Sequence, residues 1–114
     1  MKAIVVVHGG AGDIPDSRVK PKLEGVKSAV LAAIKALQAK NGSRKAASFA
    51  VASMENDPAF NAGFGSVLNE DGEVEMDAAV MNGKDLALGG VAAVGMPTYN
   101  SYQNRLSIYH IVGR

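Results

Sequence analysis

From Ser17 to Lys40 the apolar residues Val19, Leu23, Val26, Val30, Ile34 and Leu37 recur at three- and four-residue steps, which predicts one long amphipathic helix. Ser17 is the expected N-cap. Pro21 would then fall at the fourth helical position, in the first turn, where a proline removes little hydrogen bonding. Asn41-Gly42 is expected to end the helix in the left-handed conformation. A second helix should run from Ser43 to about Glu55, with Ala47, Ala50, Val51 and Met54 facing inward. It stops before Asp57-Pro58, because a residue preceding proline is disfavoured in the α region.

Ahead of these helices, Ala3 to Val7 form a β-branched run bounded by glycine, the pattern of a central strand buried on both faces. His8-Gly9-Gly10-Ala11-Gly12 follows, a loop whose glycines allow positive φ or close approach to another group. Beyond the helices, Ser66 to Asn69, a turn at Glu70-Asp71-Gly72 and the alternating segment Glu73 to Met81 read as a β-hairpin. Asn82-Gly83-Lys84 makes the next turn, into a small-residue strand from Leu86 to Gly95. Strand, two helices and three consecutive strands predict an α/β or α+β unit with the helices collected on one face of the sheet. From Met96 to Arg114 no register continues, so residues 1–95 are read as one folded portion and 96–114 as a divergent tail holding Tyr99, Tyr102 and Tyr109.

A chain of 114 residues fits one compact unit. Its hydrophobic fraction of 47% is drawn from small residues, including 18 alanines, with 5% aromatics and no tryptophan. Each small side chain removes little apolar area, so a further packed layer or a partner chain is expected to complete the core. A net charge of +1, with 12 basic and 11 acidic residues interspersed, supplies no field for nucleic acid or an anionic membrane, and neither partner is expected. Zero cysteine excludes disulfides and thiolate metal sites and favours a reducing compartment, so cytoplasm is the expected location. Ile4 to Val7 is too short for a signal segment or a spanning helix.

Four features invite chemistry. The glycine loop after a strand suggests a phosphate cradle, but Gly10 and Gly12 lack a third glycine at dinucleotide spacing and Asp13 would repel phosphate; a plain tight turn is the alternative. His8 is either a general base or metal ligand, or a structural histidine bonded to backbone, and its only histidine companion is His110 in the tail. Glu73, Glu75 and Asp77 share one strand face and could hold a hard cation, although a solvent face explains them more simply. The segment Asp57 to Gly65 combines proline, two glycines, an asparagine and two phenylalanines. It is either a fixed loop with carbonyls turned inward or an ordinary surface connection, and composition leaves the two even.

Several runs in order carry a resemblance: His8-Gly9-Gly10-Ala11-Gly12, Glu55-Asn56-Asp57-Pro58-Ala59-Phe60-Asn61-Ala62-Gly63, Gly65-Ser66-Val67-Leu68-Asn69, Gly72-Glu73-Val74-Glu75-Met76-Asp77-Ala78 and Met81-Asn82-Gly83. Over about Lys2 to Val94 the chain resembles the opening of the plant-type L-asparaginase and isoaspartyl peptidase family. That resemblance implies part of an Ntn-hydrolase αββα sandwich, here two helices packed on a sheet. It also implies hydrolysis of asparagine or β-aspartyl peptides by a threonine that self-cleavage exposes at the start of a second, β chain.

By the same resemblance Gly9, Gly10, Ala11 and Gly12 form the loop beside the nucleophile, and Asn61 helps orient that centre. The backbone carbonyls of Met54, Glu55, Asp57, Phe60, Ala62 and Phe64 would hold a structural Na+, with no other cofactor expected. The only threonine, Thr98, lies in Pro97-Thr98-Tyr99-Asn100 and lacks the preceding glycine of the family's Gly-Thr-Val-Gly, so no catalytic nucleophile is assigned. The expectation is therefore a fragment or truncated member, inactive alone. The other reading is a non-catalytic module that docks onto a β chain or a full-length relative.

Overall fold

The computed structural model describes residues 2–95 of the chain. These divide between Ser66 and Val67 into two compact units. The first holds two helices, α1 at Asp16–Gln38 and α2 at Gly42–Glu55, and a short 3-10 turn at Gly63–Gly65. The second holds the antiparallel pair β1 at Glu75–Met81 and β2 at Leu88–Gly95. Two helices and an antiparallel sheet make the α+β class expected from the order of elements, consistent with a partial Ntn-hydrolase fold.

Both helices lie close to their expected bounds, but their ends are made differently. Pro15 is the N-cap of α1 in place of Ser17, and its carbonyl accepts the Arg18 N–H at 2.8 Å, with no side-chain cap. Pro21 therefore sits deeper in the helix than expected, past its first turn, and leaves the Ser17 carbonyl without its usual donor. At the other end Asn41 N–H reaches the Ala36 carbonyl at 3.1 Å and Lys40 N–H the Leu37 carbonyl at 2.9 Å. Those two bonds make a Schellman ending whose left-handed residue is Lys40, at φ 58°; Gly42 is left-handed too, at φ 79°, but opens α2.

The buried stripe of α1 is not the row of large apolar residues. Gly25, Ala29, Ala33 and Ala36 are buried, whereas Val19, Leu23 and Ile34 are exposed and Val26, Val30 and Leu37 are half-buried. On α2 the buried residues are Ala46 and Ala50; Met54 is half-buried, and Ala47 and Val51, expected inward, are exposed. The five alanines form one cluster, with Val5, Val7, Leu37 and Met54 packed on it. Small residues at four-residue spacing let two helix backbones approach closely, and the row beside them is then pushed to the rim. This is the thin core anticipated from composition.

Ala3 to Val7 departs from expectation. The segment joins no ladder among the described residues, and only one side of it packs: Val5 and Val7 meet the alanine cluster, while Ile4 and Val6 are 80% and 87% exposed. A strand is buried on both faces only when a layer covers each of them.

The ladder expected at Ser66 to Asn69 is also absent among the described residues. Asn69 instead folds the chain on itself: its N–H donates to the Glu73 carbonyl at 2.8 Å, and its Oδ1 accepts the N–H groups of Asp71 and Glu73. Gly72 completes this turn at φ 78°. The hairpin that does form joins β1 to β2 through the turn after Asn82, whose N–H bonds the Ala87 carbonyl at 2.9 Å. Leu86 takes φ 60° in that turn, so the strand begins at Leu88, two residues later than expected.

Candidate functional site

The glycine loop is entered through His8, and its first contact belongs to that ring: Gly10 N–H donates to His8 Nδ1 at 3.2 Å. His8 is thus bonded to backbone, the structural alternative, and it is exposed. Gly10 takes φ 101°, which glycine adopts without a steric penalty. Gly10, Ala11 and Gly12 are exposed, and a Cβ at Gly10 or Gly12 would meet nothing. Gly9 is different. It is half-buried, and a Cβ there would stand 2.8 Å from Val26 Cγ2 and 3.0 Å from Phe60 Cε1.

The loop that supplies Phe60 starts at the end of α2. Asp57 N–H donates to the Met54 carbonyl at 3.1 Å, ending the helix where Pro58 forbids its continuation. Asp57 then organises the next residues: its Oδ1 accepts the Ala59 N–H at 2.9 Å and its carbonyl accepts the Phe60 N–H at 3.2 Å. Ala62 is extended, and the 3-10 turn closes with Gly65 N–H on the Ala62 carbonyl and Ser66 N–H on the Gly63 carbonyl. These bonds tie the loop's backbone to itself, while Pro58, Asn61 and Phe64 stay exposed.

Two glycines make that arrangement possible. Gly63 is left-handed at φ 55°, and a Cβ on it would run into the Glu55 carbonyl oxygen. A Cβ on Gly65 would run into the Phe60 carbonyl oxygen and lie 2.8 Å from that of Pro58. The carbonyls of Glu55, Pro58 and Phe60 thus crowd onto positions where only glycine fits. Pro58 was not among the six expected carbonyl donors, and its approach to Gly65 is a three-dimensional fact with no sequence signal.

Phe60 itself is 5% exposed, the one large side chain among the buried apolar residues described. Its ring lies between Gly9 and Gly25 of α1; a Cβ on Gly25 would strike Phe60 Cε2 and stand 2.8 Å from Cζ. Lys22 Nζ covers the ring at 5.0 Å from its centroid. Gly25 was missed in the sequence, although an isolated glycine inside a helical stripe signals a packing reason of this kind.

Of the expected site residues, then, Gly9 and Phe60 are brought into contact; Met54 and Glu55 end α2, Asp57 and Ala62 lie with Phe60 in the loop that follows, and Phe64 sits in the 3-10 turn. Asn61 is exposed on that loop. Carbonyl oxygens with space guarded by glycine are the donor chemistry a hard cation takes, and an accepted N–H leaves each carbonyl a second lone pair. The Ser66 hydroxyl beside the 3-10 turn is buried with no partner among the described residues, a further polar atom at this end of the loop. Side chains offer no rival cation site: no group of three or more His, Cys, Asp or Glu is placed to hold a metal among the described residues.

Glu73, Glu75 and Asp77 bear out the solvent-face reading, all three being exposed. Asp77 has a structural task. The pairing shifts between Met76 and Ala78, so Ala92 and Ala93 bulge opposite it; Ala93 takes φ 52° and donates its N–H to Asp77 Oδ1 at 2.9 Å. No helix among the described residues is long and apolar enough to cross a membrane. Thr98 and His110 lie outside the described residues, as does the segment 96–114 that holds them.

Comparison with known proteins converges on one group. The family model described as asparaginase matches residues 1–97. The isoaspartyl peptidase/L-asparaginase of Danio rerio is 52% identical over 94 residues, covering 82% of this chain and 30% of that protein. The protein of the same name in Rattus norvegicus is 49% identical over 92 residues, covering 80% of this chain and 28% of its own length. The plant-type L-asparaginase of Pyrococcus abyssi is 50% identical over 91 residues, covering 79% and 30%. The chain therefore spans less than a third of the length of the curated relatives it matches.

Proposed function

Because the chain belongs to the asparaginase family, we propose that it is the supporting, amino-terminal part of an amidohydrolase acting on asparagine or β-aspartyl peptides in the cytoplasm. These 114 residues alone, on this reading, do not cut the amide. The observation that carries the proposal is the near-half identity to isoaspartyl peptidase/L-asparaginases across the segment that contains both the glycine loop and the carbonyl loop. Those two loops touch through Gly9 and Phe60.

In the complete enzyme a threonine from outside these residues supplies the nucleophile, with its own α-amino group as base. Its hydroxyl attacks the amide carbonyl, ammonia or an amino acid leaves, and water then releases aspartate from the ester. Gly9, Gly10, Ala11 and Gly12 lie beside that threonine, where absent side chains let backbone approach it closely. Asn61 orients the centre by hydrogen bonding. The carbonyls of Met54, Glu55, Asp57, Phe60, Ala62 and Phe64 would hold Na+, whose positive charge would steady the loop around them.

Loss of a covalent nucleophile lowers turnover by on the order of 10^4 to 10^6. The purified 114-residue chain is expected to release no ammonia from L-asparagine, and no amino acid from a β-aspartyl dipeptide, above the buffer rate. Release that persists through purification and vanishes in Thr98→Ala would refute the assignment.

A second reading, a non-catalytic module that docks onto a β chain or a full-length relative, is favoured by the bare apolar side of Ile4 and Val6 beside the packed Val5 and Val7. A β-branched segment with one side covered is suited to adding to another sheet. Light scattering behind size exclusion separates the readings: a concentration-dependent complex with a full-length relative supports docking, and a strict monomer in the mixture removes it.

A further inference from the structure

We propose that the Phe60 ring is the positioning element through which the carbonyl loop holds the glycine loop, so that cation occupancy of the first sets the order of the second. The cation half of this inference rests on the sodium reading given above; the mechanical half rests on contacts alone. Gly9 is the member of the glycine loop with a close neighbour, and its neighbours are Phe60 and Val26, whereas Gly10 and Gly12 face open space. The ring that touches Gly9 also fills the notch at Gly25 and is covered by Lys22, so it has no room to swing away.

Phe60 further joins the two loops within one residue. Its N–H is tied to the Asp57 carbonyl, and its own carbonyl stands over Gly65 among the oxygens proposed to ligate the cation. Turning that carbonyl toward or away from an ion rotates the peptide plane at the Phe60 Cα, from which the ring projects. A backbone adjustment in the carbonyl loop is thereby delivered as pressure on Gly9. Phe60 acts through Gly9 and touches no substrate, so it is a positioning residue.

Amide hydrogen exchange on the full 114-residue chain tests this, with NaCl compared against choline chloride at equal ionic strength. Wild type is expected to slow exchange at Gly9, Gly10, Ala11 and Gly12 by about fivefold in sodium. In Phe60→Leu the amides of Glu55 to Phe64 should still shift with sodium at an affinity within about threefold, while the slowing at the glycine loop falls below about twofold. Without sodium, Phe60→Leu should exchange at least about fivefold faster than wild type in that loop, with the β1 and β2 amides unchanged. Phe60→Met, which keeps apolar volume but adds freedom, serves if the leucine variant does not fold, and should behave the same way.

Equal slowing by sodium in wild type and variant overturns the coupling. So does a sodium response confined to the carbonyl loop of wild type. If the amides of Glu55 to Phe64 ignore sodium altogether, the cation reading and the coupling both fall. The ring's mechanical role is then judged by the sodium-free comparison, where unchanged exchange in the variant refutes it.

Discussion

Phe60→Ala is expected to destabilise the first unit by about 3–4 kcal/mol, the largest loss any single truncation among the described residues should produce. The ring is 5% exposed and touches two separate parts of the unit: the glycine loop at Gly9, and α1 at Gly25 and the Lys22 side chain. Alanine at this position leaves a cavity that neither glycine can fill, since both lack a side chain to relax inward. The rest of the core offers a useful scale. Its other buried apolar residues are alanines, so Ala50→Gly removes one methyl and costs about 1 kcal/mol, mostly through helix propensity. Urea unfolding should therefore show a far larger shift of the midpoint for Phe60→Ala than for Ala50→Gly at an unchanged slope. Near-equal shifts would mean that the ring is not what closes this unit.

The second large effect concerns backbone. Gly65→Ala is expected to cost about 2–3 kcal/mol, because the new methyl would land on the Phe60 carbonyl oxygen with that of Pro58 at 2.8 Å. Neither obstacle can rotate aside as a side chain could, and moving the Phe60 carbonyl moves the ring. Two other glycines separate this steric term from conformational strain. Gly10 has open space but φ 101°, so Gly10→Ala carries only the left-handed penalty of about 1–2 kcal/mol. Gly12 has open space and no left-handed φ, so Gly12→Ala should be close to neutral. The expected order of denaturation midpoints is Gly12→Ala, then Gly10→Ala, then Gly65→Ala lowest. Gly65→Ala matching Gly12→Ala would show that the carbonyls do not crowd that position.

Local rules explain what was legible in the sequence. The helices were readable because apolar spacing, Asp57-Pro58 and the break after Lys40 are all local signals. Which face they bury was not, because alanine and glycine carry little hydrophobic contrast. The stripe Gly25, Ala29, Ala33, Ala36 won through close backbone approach, which a count of large apolar residues does not register. Ala3 to Val7 misled for a related reason: a β-branched run marks a segment able to be buried, and burial on both sides depends on layers that the described residues do not supply. The hairpin from β1 to β2 was placed nearly correctly from its turn at Asn82 and its alternation. Its bulge was invisible, since Ala93 holds φ 52° with help from Asp77, sixteen positions away.

The candidate site divides in the same way. The glycine loop and the loop from Met54 to Phe64 were picked out by composition and by likeness to a family. Their contact through Phe60, the notch at Gly25 and the approach of the Pro58 carbonyl exist only in three dimensions.

The most direct measurement is a chimera in which residues 1–95 of this chain replace the corresponding segment of the Danio rerio relative, assayed for ammonia from L-asparagine beside the 114-residue chain alone. Hydrolysis by the chimera within about tenfold of the parent, with none from the short chain, is the expected result. A folded but inert chimera, or turnover by the 114 residues unaided, would contradict it.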